Sequence, residues 1–388
     1  MKIKALFGPK YTEYEIGDVV FLAQEKPLKL SSGYEISNFP LAYQTYGELN
    51  REKSNAILIC HALTGDQYVA SSNPISGKAG WWLSMVGPDK SIDTNKFFVI
   101  CSNVLGGCMG SFGPKSVNEK TNHPYGLDFP MVTIDDMVRA QNLLIEHFGI
   151  KKLHAVIGGS MGGMQVLSWS VLYPEKVNLV IPLSTSYHHS PQNIAFHEVG
   201  RQAIFSDQAW SDGKYLEQKT YPAKGLALAR MTAHITYLSK SALQKKFGRN
   251  LQNKEQLSYS LSSDFQVENY LHHQGATFID RFDPNSYLYI TKAVDYFDLE
   301  SDSQGVLSKA FKSTLSNKTI KFCIISFSDD WLFPPSESKK ITQALIACGI
   351  NASAVVIEGT AGHDSFLIEN ETLKNMITSF LKFGGTKI

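Results

Sequence analysis

Six short apolar runs, each ending in a glycine-rich or polar turn, limit what this chain can become. Ala56–Cys60 leads into HALTGD, Phe97–Ser102 into NVLGGCMGSFGP, and Leu153–Ile157 into GGSMGG. Asn178–Leu183 leads into STSYHH, Lys321–Ser326 into FSDDWLFPP, and Ser353–Glu358 into GTAGHDSF. Continuous apolar runs of this length, rich in Val and Ile, suit parallel strands buried on both faces. Helical patterns lie between them. Thr133 and Asp136 resemble a capping box, Gly149 suits the far end of that helix, and Met137, Ala140, Leu144 and Phe148 share one face. The stretch after Ser160 reads as another helix that stops before Pro174. This alternation predicts an α/β fold, a mostly parallel central sheet flanked by helices, with its site at the carboxyl ends of the strands.

Two regions read differently. The first 50 residues alternate as strands and short loops, as in EYEIGDVVFLAQ and PLAYQTYGEL. Residues 185–306 carry helical periodicity and no buried-strand run, so they are expected to form a helical insertion. The catalytic domain is then residues 1–184 and 307–388.

Charge excludes some partners. With 37 Lys+Arg against 36 Asp+Glu in 388 residues the formal net charge is +1. The longest basic runs are scattered pairs such as Lys151-Lys152, which gives no footprint for nucleic acid. No apolar stretch approaches the roughly 18 residues of a membrane span. The opening MKIKALFGPKYTEY has too short an apolar run for a signal peptide. Cys60, Cys101, Cys108, Cys323 and Cys348 show no CxxC spacing and read as small hydrophobes in a reducing cytoplasm. No histidine pair has HxH or HExxH spacing, so no metal is expected.

Gly158-Gly159-Ser160-Met161-Gly162 fits G-x-S-x-G between a strand and a helix. Alone, the match could be a glycine-rich turn with an incidental serine. The flanking strand and helix are the context of a nucleophile elbow, where a sharp turn exposes Ser160 Oγ. The Met161 N–H then stands at a helix N-terminus, aimed at a developing oxyanion. A serine needs a base, and His363 lies in a Gly-His-Asp turn past the last expected strand. Asp330 follows another strand, with Asp329 an equal contender for the acid by spacing. The order Ser160, Asp330, His363 is that of the α/β-hydrolase fold. The loop after Ala56–Cys60 is where such folds supply a second oxyanion donor, so the backbone N–H of Leu63 or a neighbour is a candidate. His61 there reads as structural.

Together these motifs resemble the homoserine O-acetyltransferases, α/β-hydrolase-fold acyltransferases of methionine biosynthesis. The resemblance runs from TYGELN and HALTGD through GWW, SNVLGGCMGSFGP and GGSMGGMQ to NIAFHEVGRQAI, GLALARMTAHITYLS, RFDPNSYLYITKAVDYFDL, SDDWLFPP and GHDSFL. It implies Ser160 as nucleophile, His363 as base and Asp330, rather than Asp329, as acid. It implies oxyanion donors at the Leu63 and Met161 N–H groups. It also implies that Arg230 and Asp364 hold the α-carboxylate and α-ammonium of the amino-acid substrate. Acetyl-CoA is then a co-substrate, no cofactor is needed, and the inserted lid forms a homodimer. The sequence departs from the family pattern at Phe112, where a second Ser or Thr is expected, and at His197, where Asn often precedes the Glu. Phe112 is expected to shape the acyl or acceptor pocket. Leu332 and Pro334-Pro335 stand where related succinyltransferases tend to have Arg and Ser-Pro, which favours acetyl over succinyl. The competing readings are homoserine O-succinyltransferase, serine O-acetyltransferase and a serine esterase.

Overall fold

The computed structural model describes residues 2–384. Its apolar runs build a nine-stranded sheet. β1 (Lys2–Phe7), β2 (Thr12–Leu22) and β3 (Phe39–Tyr46) form an antiparallel meander at one edge. β4 (Ala56–Cys60), β5 (Phe98–Ser102), β6 (Leu153–Gly159), β7 (Val177–Leu183), β8 (Lys321–Phe327) and β9 (Asn351–Ile357) follow. The spatial order is β1-β2-β3-β5-β4-β6-β7-β8-β9. β3 meets β5 antiparallel, and every neighbouring pair from β5 to β9 is parallel.

The apolar runs are continuous because both faces of the sheet are covered. Side chains alternate across a strand. Ile57 and Ile59 accordingly join Trp82, Leu373 and Ile377 on one side, while Leu58 and Cys60 join Met137, Leu144 and Trp169 on the other. Cys60, Cys101, Cys108 and Cys323 are buried free thiols.

α1 (Ile134–His147) carries the expected capping box: Asp136 N donates to Thr133 Oγ1 at 3.3 Å and Thr133 N to Asp136 Oδ2 at 3.0 Å. α2 (Met161–Leu172) is buried from Met161 to Ser170, a core helix with no solvent face there. Between β7 and β8 the chain is helical: α3 (Pro191–Phe205), α4 (Ala223–Tyr237), α5 (Lys240–Lys246), α6 (Gln266–Phe278) and α7 (Pro284–Asp295). Short turns at Leu307–Ala310 and Ser313–Ser316 lead into β8. α8 (Pro335–Ala347) and α9 (Glu371–Phe383) complete the layers. No described helix is long and apolar enough to cross a membrane.

The chain crosses from β4 one way to β5, and from β6 onward the other way. At such a reversal the loops leaving β4 and β6 diverge and open a crevice at the carboxyl ends of the strands. The loop after β4 contains Leu63, and β6 ends one residue before Ser160.

Candidate active site

β6 stops at Gly159 and α2 starts at Met161, so Ser160 alone turns the chain. Its φ of +60° and ψ of −126° are sparsely populated for a residue with a Cβ. The surroundings enforce the turn: Ser160 N donates to Leu183 O at 3.0 Å, and Thr185 Oγ1 donates to Ser160 O at 2.8 Å. Gly162 allows α2 to begin this close to β4, since a Cβ there would stand 2.1 Å from Cys60 O.

The turn after β9 brings His363 Nε2 to 2.8 Å from Ser160 Oγ. His363 Nδ1 lies 2.8 Å from Asp330 Oδ2, and the other oxygen, Oδ1, accepts from Leu332 N at 3.0 Å and Phe333 N at 2.9 Å. Asp329 is turned elsewhere: its Oδ2 accepts from Gly362 N at 2.8 Å and braces the histidine turn. Geometry therefore separates the two aspartates that spacing left equal. Burial pushes the His363 pKa down, but the Asp330 charge and hydrogen bond outweigh it and hold the imidazole above its ordinary value. This arrangement can withdraw a proton from Ser160 Oγ and stabilise the imidazolium that forms.

A narrow cavity of about 40 Å³ opens at Ser160, room for roughly three waters or one small acyl group. Leu63, Met161, Tyr237, Leu332 and Phe333 are among its walls. Met161 is the first residue of α2, where N–H groups lack an intrahelical acceptor and meet the positive end of the helix dipole. The loop carrying Leu63 is anchored by His61. Val104 N donates to His61 Nε2 at 3.1 Å, which leaves the proton on Nδ1, 2.8 Å from Ala62 O.

Arg230 and Asp364 do not line that cavity but stand behind its Tyr237 wall. The Tyr237 ring centroid is 6.1 Å from the His363 ring and 5.6 Å from the Arg230 guanidinium. Arg230 Nη1 donates to Thr64 Oγ1 at 3.0 Å, while its buried Nε has no hydrogen-bond partner. Burial first, against the pull of His363 and Arg230, raises the Asp364 pKa. A second guanidinium, Arg281, stands 5.3 Å from the Phe278 ring that Arg230 approaches at 4.7 Å. The cationic character of this corner registers on His234, whose pKa burial and then Arg230 and Arg281 push down to about 3. An orphaned guanidinium N–H in cationic surroundings suits a carboxylate.

The other wall holds a network absent from the motif reading. His189 Nδ1 and His197 Nδ1 lie 2.9 and 2.8 Å from Asp295 Oδ1, and Arg201 Nη1 donates to Asp295 Oδ2 at 2.7 Å. Both histidines line the cavity. The His189–His197–Asp295 set has ligand types that a divalent metal accepts. Here the shared oxygen is already taken by two imidazoles and the other by a buried guanidinium, which fits a hydrogen-bonded hub. No spacing motif announces it, because His189 and His197 lie 106 and 98 residues from Asp295 in sequence. The departure at His197 therefore falls in the cavity wall. The one at Phe112 does not: its ring packs in the core against Tyr125 and Phe129, at 5.2 and 5.0 Å, and the expectation that it shapes the pocket is corrected. Its apolar ring is satisfied by that aromatic cluster rather than by a ligand.

Residues 55–370 match the family model of the α/β hydrolase fold. A homoserine O-acetyltransferase from Mesorhizobium japonicum is 58% identical over 363 residues, covering 94% of this chain and 92% of that protein. The crystal structure of homoserine O-acetyltransferase from Bacillus anthracis aligns with a TM-score of 0.84 at 30% identity, over 96% of this chain and 98% of that one. Esterase E22 aligns with a TM-score of 0.83, also at 30% identity, over 94% and 99%.

Proposed function

The chain belongs to the homoserine O-acetyltransferase family of α/β-hydrolase-fold acyltransferases, and from that premise we propose that it works by a ping-pong route through acetyl-Ser160. Ser160 Oγ attacks the acetyl-CoA thioester carbon as its proton passes to His363 Nε2. The oxyanion is received by the backbone N–H groups of Leu63 and Met161. Collapse expels CoA, protonated by His363, and leaves the acetyl ester. L-Homoserine then binds, its α-carboxylate toward Arg230 and its α-ammonium toward Asp364. His363 removes the hydroxyl proton as that oxygen attacks acetyl-Ser160, and collapse returns the proton to Ser160.

The observation that supports this most is the continuous chain of hydrogen bonds from Asp330 through His363 to Ser160, at the mouth of a cavity sized for a small acyl group. Transfer instead of hydrolysis requires that water be kept from the acyl-enzyme. In our reading residues 185–306 do this as a lid on the catalytic domain of residues 1–184 and 307–388. Asn193 on α3 donates to Leu332 O at 3.0 Å and Trp331 Nε1 to Leu238 O at 3.1 Å, tying the helices to the Asp330 loop. The lid also serves as the face of a homodimer, and the enzyme acts in the cytoplasm in methionine biosynthesis without cofactor or metal.

A donor and acceptor panel tests the reading: acetyl-CoA against succinyl-CoA, crossed with homoserine, serine and water. The expected product is O-acetylhomoserine from one pairing. Equal rates with water would favour an esterase, the reading to which the likeness with esterase E22 lends weight.

A further inference from the structure

Arg281 is a half-buried guanidinium for which no ion pair is found among the described residues. It stands in the turn between α6 and α7, and its Nη1 donates to the backbone carbonyl of Thr64 at 2.9 Å. Thr64 directly follows Leu63. Burial, and then the like charge of Arg230, depress the Arg281 pKa, so the position is electrostatically unfavourable. A guanidinium kept in such a place with no carboxylate in direct contact, Asp66 attracting it only at longer range, calls for a reason.

The loop after β4 supplies one. Gln165 on α2 donates to His61 O at 3.1 Å, and Gly65 N closes a turn on Ala62 O at 2.9 Å. Arg230 holds the Thr64 hydroxyl and Arg281 the Thr64 carbonyl. Leu63 thus lies between residues fixed from the nucleophile helix on one side and from two inserted helical elements on the other. An oxyanion donor is effective only when its direction is set before charge develops. The Thr64 carbonyl belongs to the Thr64–Gly65 peptide, two planes on from the one that carries the Leu63 N–H, so holding it restrains the short loop segment from which that N–H projects.

We infer that Arg281 is a positioning residue of the oxyanion hole, fixing Thr64 and through it the Leu63 N–H. The inference rests on the acyl-enzyme reading above. It makes the α6–α7 turn part of the catalytic apparatus, although no atom of Arg281 needs to touch substrate.

The test uses p-nitrophenyl acetate, whose nitrophenolate burst reports acylation without any acceptor, alongside the homoserine KM with acetyl-CoA. Arg281→Met is expected to slow the burst roughly ten- to a hundredfold, the scale of a weakened oxyanion donor, with the homoserine KM little changed. Arg281→Gln, which keeps a donor for the carbonyl, is expected to recover part of the rate. An unchanged burst with a raised homoserine KM in Arg281→Met would overturn the inference and make Arg281 an acceptor-binding group. If Arg281→Met does not fold, folded Arg281→Gln carries the test: a burst at the full wild-type rate with a raised homoserine KM would equally overturn it. A wild-type burst without any transfer to homoserine would defeat the proposed function, yet leave this inference to be decided by the burst rates.

Discussion

Asp330 holds His363 by one carboxylate oxygen at 2.8 Å while two backbone amides, at 3.0 and 2.9 Å, fix the other. The carboxylate cannot rotate away without leaving those amides unpaired. Its direction fixes the His363 tautomer with the proton on Nδ1, so Nε2 faces Ser160 as an acceptor.

This relationship predicts a pH profile. The base must be neutral to accept a proton, and the His363 pKa is raised, so the acylation rate falls as pH drops through a value above the ordinary 6.5. Asp330→Asn removes the charge that raises it. The acid limb should move to lower pH, and the plateau rate should fall by a factor on the order of 10⁴. Stopped-flow acylation across pH 5 to 9 measures both.

The Ser160 turn predicts an opposition between stability and activity. A residue at φ +60° is strained by about 1–3 kcal/mol, and glycine is free of that strain at the cost of about 0.5–1 kcal/mol in chain entropy. Ser160→Gly should therefore be about 1 kcal/mol more stable in urea than wild type, and inactive. Ser160→Ala, which keeps its Cβ, should show no such gain.

Substrate charge recognition is separable from acylation. Arg230→Gln and Asp364→Asn should each raise the homoserine KM by roughly ten- to a hundredfold, the loss of one charged hydrogen bond. The nitrophenolate burst should change far less than the KM in both.

Acid stability follows from histidines buried in neutral form. Burial, against the opposing hydrogen bond to Asp295, puts His189 at about 4, and His234 lies at about 3, both below the 6.5 expected of the unfolded chain. Between those values the unfolded chain binds more protons, so stability rises with pH across that window and falls on acidification. His363, shifted upward, acts in the opposite sense and loses its contribution as pH rises through its folded value. His234→Gln should flatten the fall in Tm between pH 6.5 and 4.

The sheet was readable because strands buried on both faces must be apolar runs, and because each run ended in a turn visible by composition. Ser160 and His363 were readable for a related reason: each sits in a local motif beside a strand end. Asp329 and Asp330 were indistinguishable, since adjacent residues share a strand end and differ only in which way the loop points them. Arg281, Tyr237 and most of the Asp295 hub lie in segments that carry the family resemblance, but no local pattern in those segments marks a chemical role for them. They come from separate helices and turns of the insertion, and what makes them a site is tertiary packing. Phe112 shows the converse: a position singled out by comparison of motifs was taken up by an aromatic cluster in the core.

The central claim is a covalent acetyl-Ser160 intermediate, and one measurement addresses it. Acetyl-CoA is mixed with enzyme in the absence of acceptor, free thiol is followed with time, and homoserine is then added. The account predicts one equivalent of CoA per active site followed by a halt, renewed turnover on addition of homoserine, and no release from Ser160→Ala. Release that continues steadily without homoserine, or a burst that survives in Ser160→Ala, would contradict it.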